Sequence, residues 1–147
     1  MDGKRQAVIH MVSESPDDRM EVSLTGDAQR QDETVLLHWA ERLPEDDGLS
    51  QETFVSLRAR PGHAMMQRRG PWSVSMIFEP GAARESVYHT AYGDLPITVA
   101  GREVAVGFGA DGGRITIAYG LTVRGGSPDP RRMTIEWRWA DADSGES

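Results

Sequence analysis

The stretch Arg114-Ile115-Thr116-Ile117-Ala118-Tyr119-Gly120-Leu121-Thr122-Val123 alternates without a break. Ile115, Ile117, Tyr119, Leu121 and Val123 fall on one side of an extended chain, and Arg114, Thr116, Ala118, Gly120 and Thr122 on the other. Successive side chains of a strand point to opposite faces, so this period of two predicts a half-buried β-strand. Just before it, Asp111-Gly112-Gly113 places glycine where a tight hairpin needs positive φ. After it, Gly125-Gly126-Ser127-Pro128-Asp129-Pro130 reads as a loop. Met133, Ile135, Trp137 and Trp139 then resume the alternation against Thr134, Glu136 and Arg138.

The same pattern runs upstream. Leu95, Ile97 and Val99 predict one strand, and Val104, Val106 and Phe108 another beyond Gly101. Trp72, Val74, Met76 and Phe78 alternate with Ser73 and Ser75. In the segment Glu85 to Thr90, Val87 and His89 share one face, and Ser86, Tyr88 and Thr90 the other. Pro61-Gly62, Gly70-Pro71 and Pro80-Gly81 are turn signals. Thr53 to Arg60 sets Val55, Leu57 and Ala59 on one face and Phe54 on the other. Met20, Val22 and Leu24 alternate with polar residues, and Val8 to Val12 opens the first strand. Asp32 to Arg42 fits an amphipathic helix, or equally a strand covered on both sides, since Leu36 faces away from Val35, Leu37 and Trp39.

About ten or eleven short strands joined by short turns predict an all-β fold. A meander of hairpins removes its edges by closing, so the expected architecture is a single antiparallel, mostly up-and-down β-barrel of about ten strands. A two-sheet sandwich is the alternative. The domain spans residues 1–147, with residues 1–6 and 141–147 as flexible tails.

Composition narrows the function classes. With no cysteine, neither a disulfide framework nor a thiolate metal site can form. The formal net charge of −7 opposes binding to nucleic acid and to anionic membrane, so neither is expected as a partner. No apolar run is long enough for a signal peptide or a membrane helix, which predicts a cytoplasmic protein.

The run Arg69-Gly70, Met76-x-Phe78-x-x-Gly81, Tyr88-x-Thr90-x-Tyr92-Gly93-x-Leu95, Asp111-Gly112-Gly113 and Ile115-x-Ile117-x-Tyr119 resembles the YwiB-like family. These are small bacterial proteins of unassigned function. The resemblance covers residues 66–137 well and 7–40 loosely. It implies a calycin-like, lipocalin-type barrel, and no activity. The chain departs from the family's pattern at Ala91, where proline is usual, and in the long acidic loop over residues 42–51.

No catalytic constellation is legible, and the reading leans away from an enzyme. His10, His38, His63 and His89 show no metal-ligand spacing, so no metal and no cofactor are expected. Gly107-Phe108-Gly109 follows a strand with no helix after it, and so fails as a phosphate-binding loop. An enzyme would need cooperating groups to converge from several strands, for example His89, Tyr92 and Glu85. Tyr92-Gly93-Asp94 itself reads chiefly as a structural turn.

The expected function is non-enzymatic binding of a small, largely apolar molecule in the lumen, with His89 and Tyr119 fixing its orientation. Candidate contacts are Trp72, Met76, Phe78, His89, Tyr92, Tyr119 and Trp137. Gly107, Gly109, Ala118 and Gly120 would open space beside them if they face inward. The alternative is a solid barrel acting as a protein-interaction or structural domain, with a homodimer as one form. It would use the acidic Glu45-Asp46-Asp47 loop or an exposed strand edge.

Overall fold

Turn residues cut the alternating sequence into ten strands: β1 (Arg5–Ser15), β2 (Asp18–Gln31), β3 (Thr34–Pro44), β4 (Ser50–Arg60), β5 (His63–Arg69), β6 (Val74–Phe78), β7 (Ala83–Thr90), β8 (Gly93–Phe108), β9 (Gly112–Val123) and β10 (Asp129–Trp139). The computed structural model describes residues 5–44 and 50–140. The Glu45-Asp46-Asp47 loop and the tail from residue 141 lie outside the described residues. Gly62 and Gly81 take positive φ of 82° and 81°, which places each turn at a residue with no Cβ to clash.

All ten strands form one antiparallel sheet in the order β6-β5-β4-β3-β2-β1-β10-β9-β8-β7. One sheet excludes the two-sheet sandwich. Pairing of β1 with β10, from Ala7↔Trp139 to Glu14↔Arg132, joins the two ends of the chain. The meander therefore curls round until β6 and β7 meet. At this seam Ser73 and His89 exchange two backbone hydrogen bonds of 2.9 and 2.8 Å, and the Ser86 hydroxyl donates to the Ser75 carbonyl at 2.5 Å. The result is a nearly closed barrel, as the turn spacing predicts.

Inward-facing positions make one continuous core, which includes Ile9, Leu37, Leu57, Met66, Phe78 and Ile117. Asp32 to Arg42 resolves as a strand, because the buried side chains Val35, Leu37 and Trp39 keep a period of two. Leu36 is half-buried on the outer face, so this strand is covered fully on one side only. Phe54 lies on the outer face and is exposed.

Three expectations need correction. Residues 95–99 and 104–108 belong to one strand, β8, because a β-bulge between Gly101 and Glu103 inserts a residue and flips the inward parity from Ile97 and Val99 to Val104. Arg5 and Gln6 are not a tail. They pair with Ala28 and Asp27, and the Arg5 guanidinium lies 4.3 Å from the centre of the Trp139 ring. Trp72 precedes β6 instead of opening it. Among the described residues, no helix is long and apolar enough to cross a membrane.

Candidate functional site

The alternation that builds the core also lines a cavity at one end of the barrel. That end carries the β1–β2 and β7–β8 turns and the β5–β6 and β9–β10 connections. The inward rows arrive there as Met11 from β1, Met66 and Arg68 from β5, Met76 from β6, Tyr119 from β9 and Met133 from β10. They enclose a volume of about 660 Å³, inside the range of about 300–1,000 Å³ usual for small-molecule pockets. Five of the seven methionines line it: Met11, Met20, Met66, Met76 and Met133. Methionine is unbranched and polarisable, so such a wall adapts its shape to what it holds.

Among the described residues, the β2–β3 ladder is incomplete beside this cavity. The β2–β3 ladder runs from Gln31↔Thr34 to Asp27↔His38 and stops, while β2 stays paired with β1 down to Ser15↔Asp18. Val22, Leu24 and Ala40 therefore border a lateral slit that reaches the cavity.

The polar groups of the cavity have set positions. Arg68 Nη1 donates to Glu41 Oε1 at 2.5 Å, and Trp39 Nε1 donates to Glu41 Oε2 at 3.1 Å. Arg131 lies directly opposite Tyr119 in the β9–β10 ladder, so both side chains stand on the same face, neighbours across the strands. Arg131 Nε donates to Asp129 Oδ2 at 3.1 Å. The Tyr119 ring rests on Phe78, centroids 4.9 Å apart, and forms the cavity floor.

Burial pushes the Tyr119 phenol above its ordinary pKa, against the opposing pull of the Arg131 and Arg68 charges. A folded-state pKa raised above the unfolded one contributes stability that is complete below the unfolded value and is lost as pH rises through the folded value. Folding stability should therefore fall as pH climbs beyond about 10, the unperturbed tyrosine value. Urea unfolding at a series of alkaline pH values checks this, and Tyr119→Phe should remove that part of the decline.

The structure brings only some of the expected contacts together. Met76 and Tyr119 line the cavity. Phe78 is fully buried beneath Tyr119 and fills the barrel below the cavity. Trp137 is buried farther toward the opposite end, where a Cβ on Gly113 would strike its ring. Its Nε1 is buried and has no hydrogen-bond partner among the described residues. Trp72 is 48% exposed and meets the Tyr88 ring edge-on at 5.8 Å, so it buttresses the rim from outside the cavity.

His89 and Tyr92 do not enter the lumen. Tyr88 is the β7 residue that packs inward, so the alternation turns His89 outward, where Nδ1 pairs with Asp94 Oδ1 at 2.9 Å. Tyr92 is 93% exposed at the β7–β8 turn. Thr90 Oγ1 caps that turn by donating to the Gly93 carbonyl and accepting from the Tyr92 N–H. This corrects His89 as an orienting group and removes the His89–Tyr92–Glu85 convergence. Gly107 and Gly109 open no interior space, because both are exposed. Ala118 and Gly120 are out of phase with the buried Ile117 and Tyr119. Among the described residues no group of three His, Cys, Asp or Glu side chains could hold a metal ion.

A family model described as a domain of unknown function, DUF1934, matches residues 6–135. The chain belongs to the DUF1934 family. The crystal structure of the ywiB protein from Bacillus subtilis is similar over 95% of this chain and 93% of that one, with a TM-score of 0.73 at 20% identity. The YwiB-like resemblance is borne out in family and in fold, and at that identity the likeness speaks for the fold alone. No curated protein matches the chain.

Sequence reasoning missed Arg68, Arg131, Tyr88 and the methionines Met11, Met66 and Met133. Phase was the available signal for Arg68, which follows Ala64 and Met66 at intervals of two. The pairing of Arg131 with Tyr119 depends on ladder register, which spacing along one strand does not carry.

Proposed function

We propose that this protein binds a small, largely apolar molecule in the methionine-lined cavity at the open end of its barrel. The observation that supports the reading is the cavity itself, about 660 Å³ with a largely apolar wall, above a core of buried side chains that includes Phe78, Ile117 and Ile135. Burying apolar ligand surface there contributes about 25 cal/mol per Å² removed from water. The lateral slit between β2 and β3 gives such a molecule a way in that does not require the barrel to unfold.

The test is titration of the full chain with N-phenyl-1-naphthylamine, a neutral apolar fluorophore. Saturable enhancement near one dye per chain is expected. Met76→Trp should weaken it at least about tenfold by filling the cavity, an effect of about 1.4 kcal/mol or more. Val22→Trp at the slit serves the same purpose if Met76→Trp does not fold. Absence of saturable enhancement in the native chain, or unchanged affinity in folded variants of both kinds, would overturn the reading.

A further inference from the structure

We infer that the molecule held in this cavity carries one carboxylate, seated against Arg68, Arg131 and the Tyr119 hydroxyl. The inference rests on the apolar-cavity reading above and adds the chemistry of the head group. Its starting point is where the cations stand. Arg68 shares the inward phase of Ala64 and Met66, and Arg131 that of Met133 and Ile135. Long charged residues are seldom turned inward without a partner, because desolvating a charge is costly. Two arginines on inward rows from different strands border one cavity, each with a carboxylate of its own, Glu41 and Asp129, on one part of its guanidinium.

The partners already present do not use them up. Glu41 engages one terminal nitrogen of Arg68, Nη1. A guanidinium has five N–H donors in a planar fork, so its remaining edge is available. Glu41 is itself held by the Trp39 indole. The chain Trp39–Glu41–Arg68 therefore fixes the guanidinium in place, and a ligand need not order a long side chain to meet it. Asp129 engages Arg131 from the outer rim, where both side chains are 43% exposed.

Tyr119 supplies the third donor. Its ring is buried on Phe78, and among the described residues its hydroxyl makes no hydrogen bond, although it borders the cavity. The charges acting most strongly on that hydroxyl are Arg131 and Arg68, ahead of Asp129. A carboxylate placed among the three accepts one O–H and two charge-assisted N–H hydrogen bonds, which suits two oxygens with about four lone-pair sites. An apolar tail then lies against Met11, Met66, Met76 and Met133.

The experiment compares decanoate with methyl decanoate by calorimetric titration of the full chain at pH 8. The two share a tail and differ in charge. Decanoate should bind at least about tenfold more tightly, the scale of one charge-assisted hydrogen bond. Arg68→Gln and Tyr119→Phe should each bring the ratio of the two affinities toward one. Arg131→Gln, at a more exposed position, supplies the same comparison if Arg68→Gln does not fold. Arg114→Gln, an arginine on the outer face of β9 paired with Glu136, should preserve the ratio. Equal binding of acid and ester overturns the carboxylate assignment and leaves the apolar cavity standing. An equal loss of the ratio in Arg114→Gln also overturns the assignment, since it would mark a general charge effect. Failure of both probes to bind overturns the two readings together.

Discussion

Phe78→Ala is expected to lower folding stability by about 3–5 kcal/mol, the range for truncating a buried phenylalanine. Phe78 is the largest side chain among those fully shielded from solvent. It stands where β6 ends, on the edge strand that closes against β7, and its ring carries the tilted ring of Tyr119. Truncation removes the apolar transfer energy of the ring and leaves a void that a barrel wall cannot collapse to fill, because every strand around it is held by its ladder. A domain of this size has about 5–15 kcal/mol in all, so the variant should retain only part of it. With a urea slope of about 1–3 kcal/mol per molar, the unfolding midpoint should fall by at least about 1 M. Phe78→Leu keeps most of the volume and should cost less than about 1.5 kcal/mol. A loss below about 1 kcal/mol in Phe78→Ala would mean that the ring does not plug the barrel.

The contrast between Phe78 and His89 shows what was legible in the sequence. Phe78 lies in the run Trp72, Val74, Met76, Phe78, where four apolar residues at intervals of two leave one choice of inner face. In Glu85 to Thr90 each face offers one large apolar or aromatic side chain, Val87 or Tyr88, together with two polar ones, so the period is plain and the facing is not. Packing decides it, since Tyr88 can cover both the core and the Trp72 edge. The barrel and its strand count follow from period and turns, which are local. The cavity depends on which inward rows come together at one end and on where the β2–β3 ladder stops. Both are properties of register, set by contacts between strands distant in sequence. Methionines scattered from Met11 to Met133 look unremarkable along the chain and converge only once β1 pairs with β10.

Gly101→Ala should destabilise the fold by about 3 kcal/mol or more, beyond what an added methyl usually costs in a core. The position is crowded by backbone. A Cβ there would overlap the Glu79 carbonyl and lie 2.6 Å from the Glu79 nitrogen, and main chain cannot rotate aside as a side chain can. The close approach has a purpose in the closure of the barrel. Gly81 N–H donates to the Gly101 carbonyl at 3.0 Å, and Gly101 N–H donates to the Ala82 carbonyl at 2.9 Å, which ties the β6–β7 turn onto β8. Together with the hydrogen bond of 3.1 Å that the Gly62 N–H donates to the Val104 carbonyl, this tie sets both the β4–β5 and the β6–β7 turns on β8 at the packed end. A methyl at residue 101 forces the turn off β8 and exposes the core beside Phe78. Gly107→Ala is the matched control on the same strand. Nothing lies within 4 Å of its Cβ, so the change should fall within about 0.5 kcal/mol of neutral, with alanine favoured if either is, because glycine loses more chain entropy in a strand. Urea unfolding of the two variants side by side separates steric closure from glycine's intrinsic cost. Equal stabilities would show that the approach of Glu79 to Gly101 is not a constraint on the barrel.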